Sequence, residues 1–395
     1  MSAGGPIWRQ PGMAPLVVMT CAGFSSYAVL LTVAPLWVVE GGAGTAGSGL
    51  VNGVLLLFTV LTQLLVPRAL RSFGWGPVLA VGLTLLGLPG LLLSISNELG
   101  VVLGVSAVRG IGFGVLTVTG SAAVAALVGA ERRGEAIGAY GLAVAAPNLL
   151  LLPAGPWVAE NVGFGVAFTV SALPLLGIPA ALRLAAALRL GAPDLHPAVA
   201  GAGDPGDPES AAYRRLLRPM LLLLAVTLAG GAVITFTPQV VDSPSVAAGG
   251  LFLMGLTAAL SRWRVGVLAD RHGPQRFLVP LVPLTGVGMA LVAWSVASPD
   301  GVRVGPFLAA MLLIGLCYGG LQNLTLLIAF AAVSRRHHNL ASAVWNVGFD
   351  AGTALGSVAV GVIAELRSFA TAFAVAGAAA VATLPLALQR QADRR

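Results

Sequence analysis

Apolar stretches of about 20 residues or more recur along the chain between short polar interruptions. Twelve can be delimited, at 14–39, 47–66, 77–96, 99–128, 136–159, 163–182, 217–240, 246–267, 276–297, 305–332, 339–363 and 367–388. A helix needs about 20 such residues to cross a hydrocarbon layer roughly 30 Å thick. The pattern therefore predicts an all-α membrane protein of twelve transmembrane helices. Glycine and proline, 52 and 25 in the chain, run through these stretches, and membrane helices tolerate them because neighbouring helices re-satisfy the freed backbone groups. Boundaries are least defined between spans 3 and 4, 5 and 6, and 11 and 12, where only a few residues intervene. The first run is too long for the apolar core of a cleavable leader and has only Arg9 as a basic flank, so it is read as a span.

Composition agrees. The 395 residues are 57% hydrophobic and 9% charged, with mean hydropathy +0.91, whereas soluble domains carry roughly 25% charged residues. A soluble globular protein is excluded, and so is a disordered chain, which needs low hydrophobicity and high net charge. Cys21 and Cys317 each lie inside an apolar run and read as small hydrophobes rather than a disulfide scaffold. The net charge is +7, and its placement matters more than its sum. With both termini cytoplasmic, nineteen of the 22 basic residues, all arginine, fall in inner loops; Arg303 and Arg367 fall in outer loops, and Arg109 lies within span 4. That asymmetry follows the positive-inside rule for an even number of helices. It explains the basic balance without a nucleic-acid partner and predicts a multi-pass protein of a bacterial inner (cell) membrane, surrounded by lipid bilayer.

The longest stretch without a span, 183–216, centres on a mixture of proline, glycine and aspartate (Pro193, Asp194, Pro197, Asp204, Pro205, Gly206, Asp207, Pro208) and reads as a flexible linker. It divides the chain into a six-helix bundle at 1–190, a cytoplasmic linker at 191–213 and a second six-helix bundle at 214–395. Shifting the sequence by 205 residues places Ala136 on Ala341, Tyr140 on Trp345, Glu160 on Glu365, Phe164 on Phe369 and Phe168 on Phe373. Spans 5 and 6 thus resemble spans 11 and 12. Parallel repeats of this kind are built into transporters that carry substrate between their halves.

After span 8 the chain reads Gly266-Val-Leu268-Ala-Asp270-Arg271-His-Gly273-Pro-Gln275-Arg276. This resembles the signature loop of the major facilitator superfamily, G-x-x-x-D-R/K-x-G-x-R/K-R/K, with Gln275 the one departure. The corresponding loop after span 2 keeps only Gly74, and Arg71 stands where the acid belongs. The resemblance covers the whole chain and implies two pseudo-symmetric six-helix bundles. It also implies that Gly266, Asp270, Arg271, Gly273 and Arg276 form a cytoplasmic gate motif locking one state. The residues themselves allow a simpler reading, in which Gly266 permits close helix packing, Gly273 a tight turn, and the arginines set topology. The exporter subclass rests on fragments: Arg109-Gly110-Ile-Gly112-Phe-Gly114 in span 4, Pro153-Ala-Gly155-Pro156 in span 5 and Phe349-Asp350-Ala-Gly352-Thr-Ala-Leu-Gly356 in span 11.

Charges inside a bilayer are costly, at roughly 2.5–3.5 kcal/mol on insertion scales, and they tend to face a cavity or a partner. Two lie deep here. Arg109 is about 15 Å into span 4 and Asp350 about 16 Å into span 11, at 1.5 Å per residue. A carboxylate that loses an arginine partner in one conformation takes up a proton there, because low dielectric disfavours an unpaired charge. Asp350 and Arg109 are therefore candidates for proton coupling, and a packing role for both stays open. The acids Glu40, Glu98, Glu160, Asp242, Asp300 and Glu365 fall at outer ends or loops, where solvation accounts for them. In the superfamily the first and fourth helices of each half line the central path. By that resemblance Ser26, Tyr27, Thr235, Gln239, Tyr318, Gln322 and Asn323 are substrate-cavity candidates. Gln322 and Asn323 diverge by about 100° around their helix and cannot share a direction.

These features favour a monomeric secondary transporter working by alternating access. Its expected solute is a small amphipathic organic molecule or drug, exported by proton antiport, as in multidrug efflux. The alternative is uptake or export of a sugar, amino acid or other metabolite. A channel or membrane enzyme is less well supported, since no cluster of histidines, cysteines or paired carboxylates converges. No histidine lies in a span, so no metal cage is expected, and no cofactor is called for. Without a lysine the chain cannot build the Gly-x-x-x-x-Gly-Lys loop of an ATP-driven pump.

Overall fold

The computed structural model describes residues 10–128, 133–191, 209–334 and 337–389, and the regular elements within them are helical. In chain order they are α1 (Met13–Glu40), α2 (Thr45–Phe73), α3 (Trp75–Gly87) running into a 3₁₀ helix (Leu88–Ser94), α4 (Leu99–Leu127), α5 (Arg133–Asn161), α6 (Phe164–Val170), α7 (Leu173–Gly191), α8 (Glu209–Val240), α9 (Pro244–His272), α10 (Gln275–Val296), α11 (Val304–Ala332), α12 (His338–Leu366), α13 (Phe369–Val381) and α14 (Leu384–Leu388). Counting α3 with its 3₁₀ continuation, α6 with α7, and α13 with α14, they form twelve segments long and apolar enough to cross a membrane. These coincide with the twelve apolar runs.

Several helices outrun their apolar stretches. α2 continues to Phe73 and α9 to His272, because Arg, Leu and Ala at their ends are good helix formers and extend the backbone ladder past the last apolar position. Arg262 and Arg218, which the loop count assigned to the cytoplasm although the runs 246–267 and 217–240 contain them, lie within the membrane-spanning segments Pro244–Gly266 and Ser210–Val240.

Three spans are broken at proline. Pro89, Pro174 and Pro385 each sit at the second position of the continuing segment, where the missing N–H leaves a carbonyl of the preceding turn without its donor. At two of the joints a hydroxyl binds back to the turn it follows: Ser171 Oγ donates to the Phe168 carbonyl (2.6 Å) and Thr383 Oγ1 to the Ala380 carbonyl (2.7 Å). The sixth and twelfth spans thus break by the same local chemistry.

The chain groups into two compact units, one of Met1–Gly42 with Val54–Val199 and one of Ala43–Gly53 with Ala200–Arg395. Division at the linker had placed all of span 2 in the first half; the first turns of α2 instead group with the second unit. Residues 192–208, the core of the expected linker, lie outside the described residues, and 209–213 already belong to α8.

In the first unit α1 is the central helix, packed on α5, α7 and α4. α4 approaches α2 and α3 through Gly110 and Gly112: a Cβ on Gly112 would stand 2.5 Å from the Gly82 carbonyl oxygen of α3. In the second unit α8 packs along α12 and α9 along α11. The repeated phenylalanine pair has equivalent surroundings in each unit. Phe164 lies 4.6 Å from the Trp37 ring of α1, and Phe369 lies 5.5 Å from Phe236 of α8.

Candidate functional site

In the first unit the chemistry gathers between α1 and α4. Arg109 is the eleventh residue of α4, about 15 Å along its axis, and is 1% exposed. Its Nη2 donates to the Ser26 carbonyl of α1 (3.0 Å), while its Nε–H has no acceptor. Four residues on, and so on the same helix face, Phe113 stacks on Tyr27 of α1 with ring centroids 3.9 Å apart and planes 1° from parallel. Phe24 meets both rings edge-on. A guanidinium thus lies beside an aromatic wall, all of it buried. Ser26 contributes its carbonyl to Arg109, and its hydroxyl reaches the Leu86 carbonyl at 3.4 Å.

The second unit holds two polar groupings. One is built on α11 and α12. Asp350 of α12 is 5% exposed, and the Tyr318 hydroxyl of α11 lies close to Asp350, to Gln322 one turn further along, and to Arg262 of α9. The Tyr318 ring faces Phe349 (6.2 Å), which stacks with Trp345 (5.7 Å), and Trp345 Nε1 donates to Thr325 Oγ1 (3.2 Å). Gln322 is 1% exposed. Tyr318 approaches it without good hydrogen-bond geometry, and neither atom of its amide has another partner. Asn323 turns the other way and donates to the Arg262 carbonyl (2.6 Å), packed over Gly266. Its amide is committed to holding α9 against α11. The Arg262 side chain itself is exposed.

The other grouping joins the first turns of α2 to α8 and α12. Asn52 donates to Thr235 Oγ1 (2.9 Å), which also bonds Ser357 Oγ (2.8 Å), and Gln239 donates to Ser48 Oγ (2.7 Å). Gln239 Nε2 also donates to the Thr235 carbonyl (3.2 Å), so Thr235 and Gln239 are both committed to hydrogen bonds within the unit. Glu365 differs from its reading as a merely solvated acid: its Oε2 accepts the Ala46 N–H in the first turn of α2 (2.8 Å), an anion at a helix N-terminus where the exposed N–H groups favour negative charge.

In the signature loop, Gly273 adopts φ +82° and donates its N–H to the Ala269 carbonyl, so the tight turn needs glycine. Arg271 and Arg276 are exposed, and the Asp270 side chain lies outside the described residues. Gln275, the departure from the family pattern, accepts from Arg218 Nη2 of α8 (2.9 Å) and donates to the Ala387 carbonyl of α14. A neutral amide does there what a basic residue could not, since it both accepts from an arginine and donates to a carbonyl.

Sequence reasoning missed Arg262, Asn52, Ser357 and the aromatic pair Trp345 and Phe349. Arg262 was counted with the cytoplasmic arginines although the run 246–267 contains it. The four-residue spacing of Trp345 and Phe349, one turn before Asp350, was the signal available for the aromatic pair.

The sequence matches the Major Facilitator Superfamily over residues 16–330 and 243–394. No curated protein matches it. Among solved structures, a bacterial homologue of the human lysosomal transporter Spinster, inward-facing and unoccupied, superposes with a TM-score of 0.68 at 15% identity, covering 98% of this chain and 96% of that one. A variant of the nucleoside transporter NupG gives a TM-score of 0.68 at 13% identity, covering 95% and 99%. The occupied form of the Spinster homologue gives 0.66 at 14%. The family match makes this chain a secondary transporter of the membrane rather than an enzyme. The chain belongs to the major facilitator superfamily.

Proposed function

We propose that this transporter moves a small amphipathic organic solute outward by alternating access, in exchange for protons, and that Asp350 is the proton-carrying group. One observation carries the reading: a carboxylate 5% exposed in the middle of a membrane helix, near Tyr318 of the neighbouring helix. A carboxylate buried at that depth is costly when charged, so its protonation is tied to whichever conformation supplies or withdraws its neighbours. Arg109 is the fixed midplane charge of the first unit. The loop holding Gly266, Asp270, Arg271, Gly273 and Arg276 serves as the cytoplasmic lock. The protein works as a monomer in a bacterial inner membrane with both termini cytoplasmic, driven by the proton gradient and not by ATP.

The solved relatives named for transport include a nucleoside carrier, and a nucleoside or similar metabolite is the second reading, favoured by the unpartnered Gln322 amide, which offers both a donor and an acceptor. The test is solute-driven proton movement in proteoliposomes, screening amphipathic compounds and nucleosides against wild type and Asp350→Asn. Proton flux with an exported compound, lost in the variant, supports the reading. Flux undiminished in Asp350→Asn returns Asp350 to a packing role.

A further inference from the structure

Arg109 is the buried charge that the proton cycle leaves unexplained. Its described partners are the Ser26 carbonyl and the neighbouring Tyr27, and neither carries a full negative charge in a neutral phenol and a peptide group. Its Nε–H, buried in a residue 1% exposed, has no acceptor. The described carboxylates of the first unit stand at helix ends: Glu40 closes α1, Glu98 precedes α4, and Glu160 is the penultimate residue of α5. Glu98 is eleven residues from Arg109, about 16 Å along the helix. An arginine so placed keeps its charge, because guanidinium does not give up its proton in proteins, and an uncompensated buried charge is strongly destabilising.

We infer that the missing counter-charge is brought by the solute, and that Arg109, with the Tyr27 and Phe113 rings, forms the seat in the first unit for the anionic group of an amphipathic organic anion. The guanidinium offers the forked donor geometry that matches a carboxylate or phosphate oxygen pair, and its free Nε–H is one arm of that fork. The stacked rings give the apolar portion of the solute a flat surface next to the charge. This deepens the transporter reading above by naming the solute's chemical class, and it rests on that reading only for the word solute. The seat is buried as described, so a solute reaches it when α1 and α4 part from their covering neighbours.

The test is thermal melting of the purified full-length protein, in detergent, without solute and with millimolar 2-naphthoate, decanoate, and their uncharged counterparts 2-naphthamide and decanamide. A ligand that binds only the folded state raises the melting temperature. In wild type at least one carboxylate is expected to raise it more than its amide does, by about 2 °C or more. Arg109→Gln abolishes that difference and, without solute, melts at or above wild type, since it removes an uncompensated charge. Arg109→Lys keeps part of the carboxylate preference. Arg109→Gln melting well below wild type without solute, or failing to fold while Arg109→Lys folds without any carboxylate preference, assigns the residue to packing and overturns the proposal. So does a wild type for which no carboxylate exceeds its amide. Carboxylate binding with no transport of any compound would count against the transporter cycle and leave the anion seat standing. Proton-coupled transport equally active in Arg109→Gln would remove the seat and leave the cycle.

Discussion

Gly356 offers the most direct test of how the second unit is packed. α12 lies along α8 so closely that a Cβ on Gly356 would overlap the Leu228 carbonyl oxygen and stand 2.8 Å from its carbon and 3.0 Å from the Leu228 Cα. Carbon atoms in favourable contact are about 3.5–4.0 Å apart, so Gly356→Ala must move the two helices apart by nearly 1 Å. The obstruction is backbone, which cannot rotate away as a side chain can. Overpacking of this kind costs about 1–3 kcal/mol, at the upper end for a rigid neighbour, and the better helix propensity of alanine returns about 1 kcal/mol. A net loss of about 2 kcal/mol corresponds to a fall of about 4–8 °C in melting temperature for a cooperative unit near 200 residues. The control is Gly249→Ala in α9, where an added Cβ meets nothing within 4 Å and the propensity gain acts alone. Melting of both variants in detergent, followed by size-exclusion fluorescence, should place Gly356→Ala below wild type and Gly249→Ala at or slightly above it. Equal melting of the two variants would refute the packing argument.

Two further outcomes follow from particular contacts. Glu365→Ala removes the anion that accepts the Ala46 N–H and should lower the melting temperature by the equivalent of less than about 1 kcal/mol, the lower range for a helix cap in an exposed position; the loss should shrink at high salt, and a salt-independent loss would point to packing instead. Gln322→Leu removes a buried amide without partners, whose desolvation costs about 1–3 kcal/mol, so the variant should melt above wild type while solute transport falls. A variant that melts lower would show the amide to be satisfied.

Much of the fold was legible because the bilayer leaves the sequence little freedom: each span must be apolar for its full width, and twelve runs emerged with boundaries close to the helix limits. What was not legible came from places where helix and membrane part company. α9 continues as helix through Arg262, Arg264 and Arg271, and charge alone cannot say whether an arginine near a span end stands in the loop or one turn or more inside. The breaks in the sixth and twelfth spans were hidden because Leu-Pro pairs are ordinary inside membrane helices, and only the back-bonding of Ser171 and Thr383 reveals a joint. The site was legible as single residues. Arg109 and Asp350 stood out by charge, yet their companions could not be assigned by periodicity, because contacts such as Arg109 with Ser26 or Asn323 with Arg262 join residues on different helices. The first turns of α2 show the limit most plainly, since nothing in residues 43–53 indicates that they group with the second unit.

The central claim, that Asp350 carries the coupling proton, is tested most directly by separating exchange from accumulation in one preparation. Wild-type and Asp350→Asn proteoliposomes would be loaded with a transported compound and assayed for solute exchange at equal pH, then for accumulation against its gradient under an imposed pH difference. Proton coupling through Asp350 predicts that the variant still exchanges solute but no longer accumulates it. Accumulation by Asp350→Asn at the wild-type rate and extent would contradict the account.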